Sequence, residues 1–234
     1  MNAYAHSQFS VKNRGGKIED YLELHNFSDC SKEICALNSH RLFFHTMWGV
    51  KNVMVRIFGH TFTNSDNKVI NVKDCCENDH ILPDYRNRFI PTLSDFIDCI
   101  DDEDNDLAKI QEFWKQNEEI FKNPEIKQLM MSPLPNTGKI KSLLITHNSW
   151  FIGEILPRCF PEINLKFVNY SITPKDLFNR MEFKDWMQNG KEVPPSFQKI
   201  NKKYNKENVR TEPLAVDFPA SKGDNFKVPG HLID

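Results

Sequence analysis

Six of the eight histidines of this 234-residue chain fall within its first 80 positions: His6, His25, His40, His45, His60 and His80. With Asp29 and Asp84 they supply imidazole nitrogen and carboxylate oxygen, the ligand types that zinc, iron and manganese accept. His25 with Asp29, and His80 with Asp84, are four residues apart and share a face if each segment is helical. His40 and His45 are five apart, roughly 140° around a regular helix, so one continuous helix can present only one of them to a given ion. The candidate metal ligands are therefore His25, His40, His45 and His80, with Asp29 and Asp84 as candidate catalytic carboxylates. Such a centre points to hydrolysis by a metal-activated water with a carboxylate as general base, a phosphoester being the leading substrate class. The plainer alternative is a non-enzymatic binding or adaptor protein whose histidines cap helices and pair with carboxylates across a bundle. No HExxH motif and no phosphate-cradling glycine loop is present.

The elements that must position these residues are mostly helical. Residues 3–13 suit a short helix ending at Gly15-Gly16, and KIEDYLELHNF suits a second. Residues 30–59 carry apolar side chains at Ile34, Leu37, Phe44, Met47, Val50, Met54 and Ile57, which predicts one long helix, capped by Ser28 or Asp29 and stopped by Gly59. Residues 61–63 and 69–72 alternate as strands do, and Asn64-Ser65-Asp66-Asn67 between them is turn chemistry, so a hairpin follows. Residues 74–85 read as helix, and Thr92 with Asp95 is close to a capping box.

The acidic run DDEDND at 101–106 separates this unit from a different pattern. An amphipathic helix over 107–121 leads to strand (142–146), helix (149–156), strand (165–170) and helix (174–188), an order that favours parallel pairing. The fold class expected is α+β: a helical N-terminal domain with a small hairpin (1–100), a small β-α-β-α region (101–190) and an irregular Pro-rich arm (191–234), in which 214–218 could add a strand. At the expected strand end, His147, Asn148 and Ser149 could face an anion or simply cap the next helix. Cys159 has no base beside it in the sequence and makes a poor nucleophile.

Composition excludes more than it assigns. The 30 basic and 32 acidic residues nearly balance, giving no global field for nucleic acid or an anionic membrane. A nucleic-acid contact is left only to the lysines from Lys199 to Lys206. No apolar run approaches membrane-spanning length, and MNAYAHSQFSVKNR lacks the pattern of a secretory signal, so a cytoplasmic protein with six reduced thiols is expected.

The blocks GGKIEDYLELHNFSDCSK, SHRLFFHTMWG, TNSDNKVINVKD, DHILPDY and IPTLSDF, in this order, resemble a family of small bacterial and phage-borne proteins of unknown function. The resemblance covers residues 5 to about 100. It carries over Gly15, Gly16, Asp20, Tyr21, His25, Asp29, Lys32, His40, Arg41, His45, Gly49, His80, Asp84, Pro91 and Asp95, and brings no activity with it. Thr46 stands where the family usually has a second consecutive histidine, and Pro83 interrupts the turn between His80 and Asp84. Both departures count against a metal site.

Overall fold

The structure, a computed structural model, describes residues 1–167 and 171–198. Helix α1 (Ala3–Arg14) starts where the Asn2 side chain accepts from the Ala5 N–H, and it ends at Gly15 and Gly16. These two take φ of 80° and 77°, a region open to residues without Cβ. The turn lets α2 (Glu19–Ser28) fold back onto α1.

The long helix expected over residues 30–59 is broken. Cys30–Glu33 and Asn38–His40 form 3-10 turns, and α3 (Arg41–Phe44) ends at His45. Thr46 is extended (φ −130°, ψ 155°), and its hydroxyl accepts from the Gly49 N–H at 3.1 Å to begin a new helix, α4, over residues 47–58. A hydroxyl that can satisfy an orphan amide offers the backbone an alternative to continuing the helix, and here that alternative wins. The apolar stripe is correspondingly divided: Phe44, Val50 and Met54 are buried, whereas Leu37 is 63% exposed and Met47 40%. Asp29 stands at the N-cap position of the Cys30–Glu33 turn, but neither its side chain nor that of Ser28 makes a capping hydrogen bond; Ser28 donates to the Leu24 carbonyl and Asp29 turns to the histidines. Gly59, at φ 79°, closes α4 as expected.

Strands β1 (Thr61–Thr63) and β2 (Val69–Asn71) pair antiparallel with Phe62 opposite Ile70. Asn64 Oδ1 accepts from the Asp66 and Lys68 amides and fixes the turn. Helix α5 covers residues 72–84 and is π-helical over Cys76–Ile81. A complete Thr92/Asp95 capping box opens α6 (Leu93–Ile97).

The second half is also helical, with α7 (Asp106–Gln116), α8 (Pro124–Met131) and α9 (Pro133–Thr137). The strand expected at 142–146 is not formed: Ile140–Leu143 is a 3-10 turn leading into α10 (Leu144–His147). A short, fully buried apolar run has no polar face to reveal its period, so strand and helix look alike in sequence. Asn148 then accepts from the Phe151 N–H and caps α11, over residues 149–159. Residues 165–167 are not strand, and 168–170 lie outside the described residues. In place of one helix over 174–188 stand α12 (Lys175–Phe178) and α13 (Asp185–Asn189). The chain is therefore α+β through its helical N-terminal part and one hairpin, and the parallel β-α-β-α pattern is not formed among the described residues. The lysines at 199–206 and the candidate strand at 214–218 also lie outside them.

The apolar core is continuous across the acidic segment. Phe43 meets Trp150 edge-on at 5.0 Å, and Phe96 meets Trp186 at 4.8 Å. This contact bears on the histidines, because Arg41 Nη1 donates to the Met187 carbonyl at 2.9 Å while its Nη2 reaches Asp84.

Candidate metal centre

Four segments converge on one buried cluster. Helix α1 brings His6, the end of α2 brings Asp29, the broken stretch before α4 brings His40 and His45, and α5 brings His80 and Asp84. The Nε2 atoms of His40, His45 and His80 lie 3.5, 3.6 and 3.7 Å from a single oxygen, Asp29 Oδ1. His45 Nε2 is 3.1 Å from His80 Nε2 and 3.3 Å from Asp84 Oδ2, and His6 Nε2 is 3.3 Å from Asp84 Oδ1. The helix break at His45 and Thr46 is what allows this: His40 and His45, which a continuous helix would splay apart, both face Asp29.

Backbone carbonyls fix two of these rings. His6 Nδ1 donates to the Asp79 carbonyl at 2.9 Å, and His40 Nδ1 donates to the Leu37 carbonyl at 2.8 Å. A carbonyl can only accept, so in the neutral ring each Nε2 carries a lone pair. Those lone pairs face Asp84 and Asp29, which are carboxylates paired with Arg41 at 2.9 Å and Lys32 at 2.7 Å. His6 Nε2, His40 Nε2 and Asp29 Oδ1 are buried without a hydrogen-bond partner, as is His45 Nδ1. With neutral rings, lone pair faces lone pair across a distance that a cation would bridge; a protonated ring would instead donate its Nε2–H to the carboxylate.

Pro83, one of the two departures, bears on His6. Having no N–H, it cannot pair with the carbonyl four residues back, Asp79, and that carbonyl receives His6. Thr46, the other departure, creates the break that aims His45.

His25 stands one layer out. Its Nδ1 lies 3.1 Å from His80 Nδ1 and its Nε2 2.8 Å from Ser10 Oγ, so both nitrogens are engaged and it orients His80. Asp79, held by Arg14 and Asn13, supports the same side. Burial lowers the imidazole pKa of His25 to about 2, of His45 to about 3 and of His80 to about 4, with neighbouring imidazoles adding to the effect, which keeps these rings neutral.

The structure brings together His40, His45, His80, Asp29 and Asp84 and puts His25 behind them. Sequence reasoning missed His6. Its signal was a polar stripe, since His6, Ser10, Asn13 and Arg14 recur at helical spacing along α1. His60 is exposed at the start of the hairpin. His147 is a satisfied core residue: Nδ1 donates to Leu143 O and Nε2 accepts from Trp114 Nε1–H. Burial pushes the Cys159 thiol up to about 12, which rules it out as a ready nucleophile, and all six cysteines are free.

Residues 1–105 match the family model of a domain of unknown function (DUF6915), and this stretch contains every member of the cluster. No curated protein and no solved structure matches the chain. Among the described residues no helix is long and apolar enough to cross a membrane.

Proposed function

We propose that the N-terminal region binds a divalent transition metal (zinc, iron or manganese) and hydrolyses a phosphoester with a metal-activated water. The observation that carries this reading is the meeting of three Nε2 atoms on Asp29 Oδ1 at 3.5–3.7 Å. Ligands on a tetrahedral ion with bonds of 2.0–2.1 Å lie about 3.4 Å from one another. Bound metal would lower the pKa of its water. With Oδ1 turned to the imidazoles as a ligand, Asp29 leaves its Oδ2, at the edge of the cluster beside the exposed Lys32, as the better placed general base. It would take the proton of the attacking water and return it to the departing alkoxide as the new P–O bond replaces the ester bond. Asp84, tied to Arg41, is better suited to ligation.

Enclosure favours a second reading. The histidines and Asp84 are buried and Asp29 is only 9% exposed, and closed sites are usually structural, with catalytic ones keeping an open position. On that reading the centre braces a non-enzymatic binding module. Elemental analysis of tag-free protein is expected to find zinc, iron or manganese, with most of it lost in His80→Ala and none in His60→Ala. Metal-loaded protein that leaves a chromogenic phosphodiester intact would favour the binding module, and metal-free protein unaltered in melting by each ion would defeat both metal readings.

A further inference from the structure

We infer that this centre takes two divalent transition-metal ions bridged by Asp84, an inference that rests on the metal reading above. The inner side chains divide into two triads, His6, His80 and Asp84, and Asp29, His40 and His45, whose ligating atoms lie within 4.8 Å of one another in each. Asp84 gives one oxygen to each side: Oδ1 lies 3.3 Å from His6 Nε2 and Oδ2 lies 3.3 Å from His45 Nε2. A carboxylate whose two oxygens face different imidazoles is arranged to bridge.

The rings divide in the same way. His80 has only Nε2 to offer, because its Nδ1 faces His25, and it stands between the triads, 3.1 Å from His45 Nε2. One ion at Asp29 would account for His40, His45 and His80 but would leave His6 Nε2, buried and unpartnered, pointing its lone pair at Asp84. Its Nδ1 cannot relieve this, being committed to the Asp79 carbonyl. Arg41 and the Met1 amine also reach Asp84, at 2.9 and 2.8 Å, but nothing places them on His6 Nε2 or His40 Nε2. A second ion between His6 and Asp84 gives His6 Nε2 its partner, and the ion at Asp29 does the same for His40 Nε2. Paired metals roughly 3.5–4 Å apart clamp the attacking and leaving oxygens of an in-line displacement, which suits the phosphoester reading without selecting it over amide hydrolysis.

Tag-free, full-length protein stripped with a chelator is titrated with Mn2+ by calorimetry, and the desalted product is assayed for manganese and by electron paramagnetic resonance. The expected result is two ions per chain with an exchange-coupled signal. His6→Gln is expected to hold one ion and give the signal of isolated Mn2+. One ion per chain in the unaltered protein, or two ions retained by His6→Gln, would overturn the paired centre while leaving a mononuclear site in place. No ion at all would overturn the metal reading itself. The unaltered protein decides the stoichiometry even if His6→Gln fails to fold.

Discussion

Replacing Gly49 by alanine is expected to destabilise the protein, although it puts the best helix former inside a helix. Gly49 has ordinary helical angles (φ −61°, ψ −45°), so conformational freedom does not explain the glycine. Space does. A Cβ built there would sit 2.0 Å from the Phe43 carbonyl oxygen and 2.9 Å from Phe44 Cα. Both atoms are backbone, so no side-chain rotation relieves the clash, and α4 must retreat from the reversal at 43–46. Alanine gains about 1 kcal/mol of helix propensity over glycine. Overpacking a closed site costs about 1–3 kcal/mol when side chains can adjust, and contact with backbone belongs at or above the top of that range. The net loss is about 2 kcal/mol or more, read as a lower urea midpoint at unchanged slope in metal-free protein. Because the reversal carries His45, metal affinity should fall as well. A midpoint equal to or above that of the unaltered protein would refute the close approach, and with it the account of how His40 and His45 come to share Asp29.

Three further outcomes follow from the same geometry. Met54→Asp buries an unpaired charge and should cost several kcal/mol, enough to unfold a domain of ordinary stability, whereas Met47→Asp, at a 40% exposed position, should melt close to the unaltered protein. His147 has both nitrogens engaged and its pKa is lowered by burial to about 4, so the folded state takes up its proton later than the unfolded state as pH falls. Its contribution is neutral above about pH 6.5 and turns destabilising between there and pH 4, by about 3 kcal/mol in full; denaturant titrations of the unaltered protein and His147→Gln should converge by about 2 kcal/mol between pH 7.5 and 5, and parallel curves would refute the assignment. His25→Ala should weaken metal binding about 10–100-fold while leaving the stoichiometry intact, as measured by equilibrium dialysis; loss of an ion would make His25 a ligand.

Much of the site was legible in the residues themselves. The His80/Asp84 spacing and Asp29 picked out residues that do cluster, with His25 a layer behind them, and turn and cap chemistry located α1, α2, the hairpin, Gly59 and the Thr92 capping box, because each depends on neighbours a few positions away. Tertiary structure decided the rest. Whether residues 30–59 form one helix or several turned on a Thr46 cap competing with helix continuation, and Gly49 lets α4 lie against that break, a contact no periodicity reveals. The run at 142–146 was not legible as helix because burial on all sides removed the polar alternation that distinguishes the two periods. His6 entered the cluster because α1 packs beside α5, where Pro83 leaves the Asp79 carbonyl to it, and His25 was set behind His80 by Ser10. Spacing along the chain selects which residue types can share a face, but the atom each ring turns toward the centre depends on the carbonyl or hydroxyl that holds its other nitrogen, and those partners lie from three to more than seventy residues away.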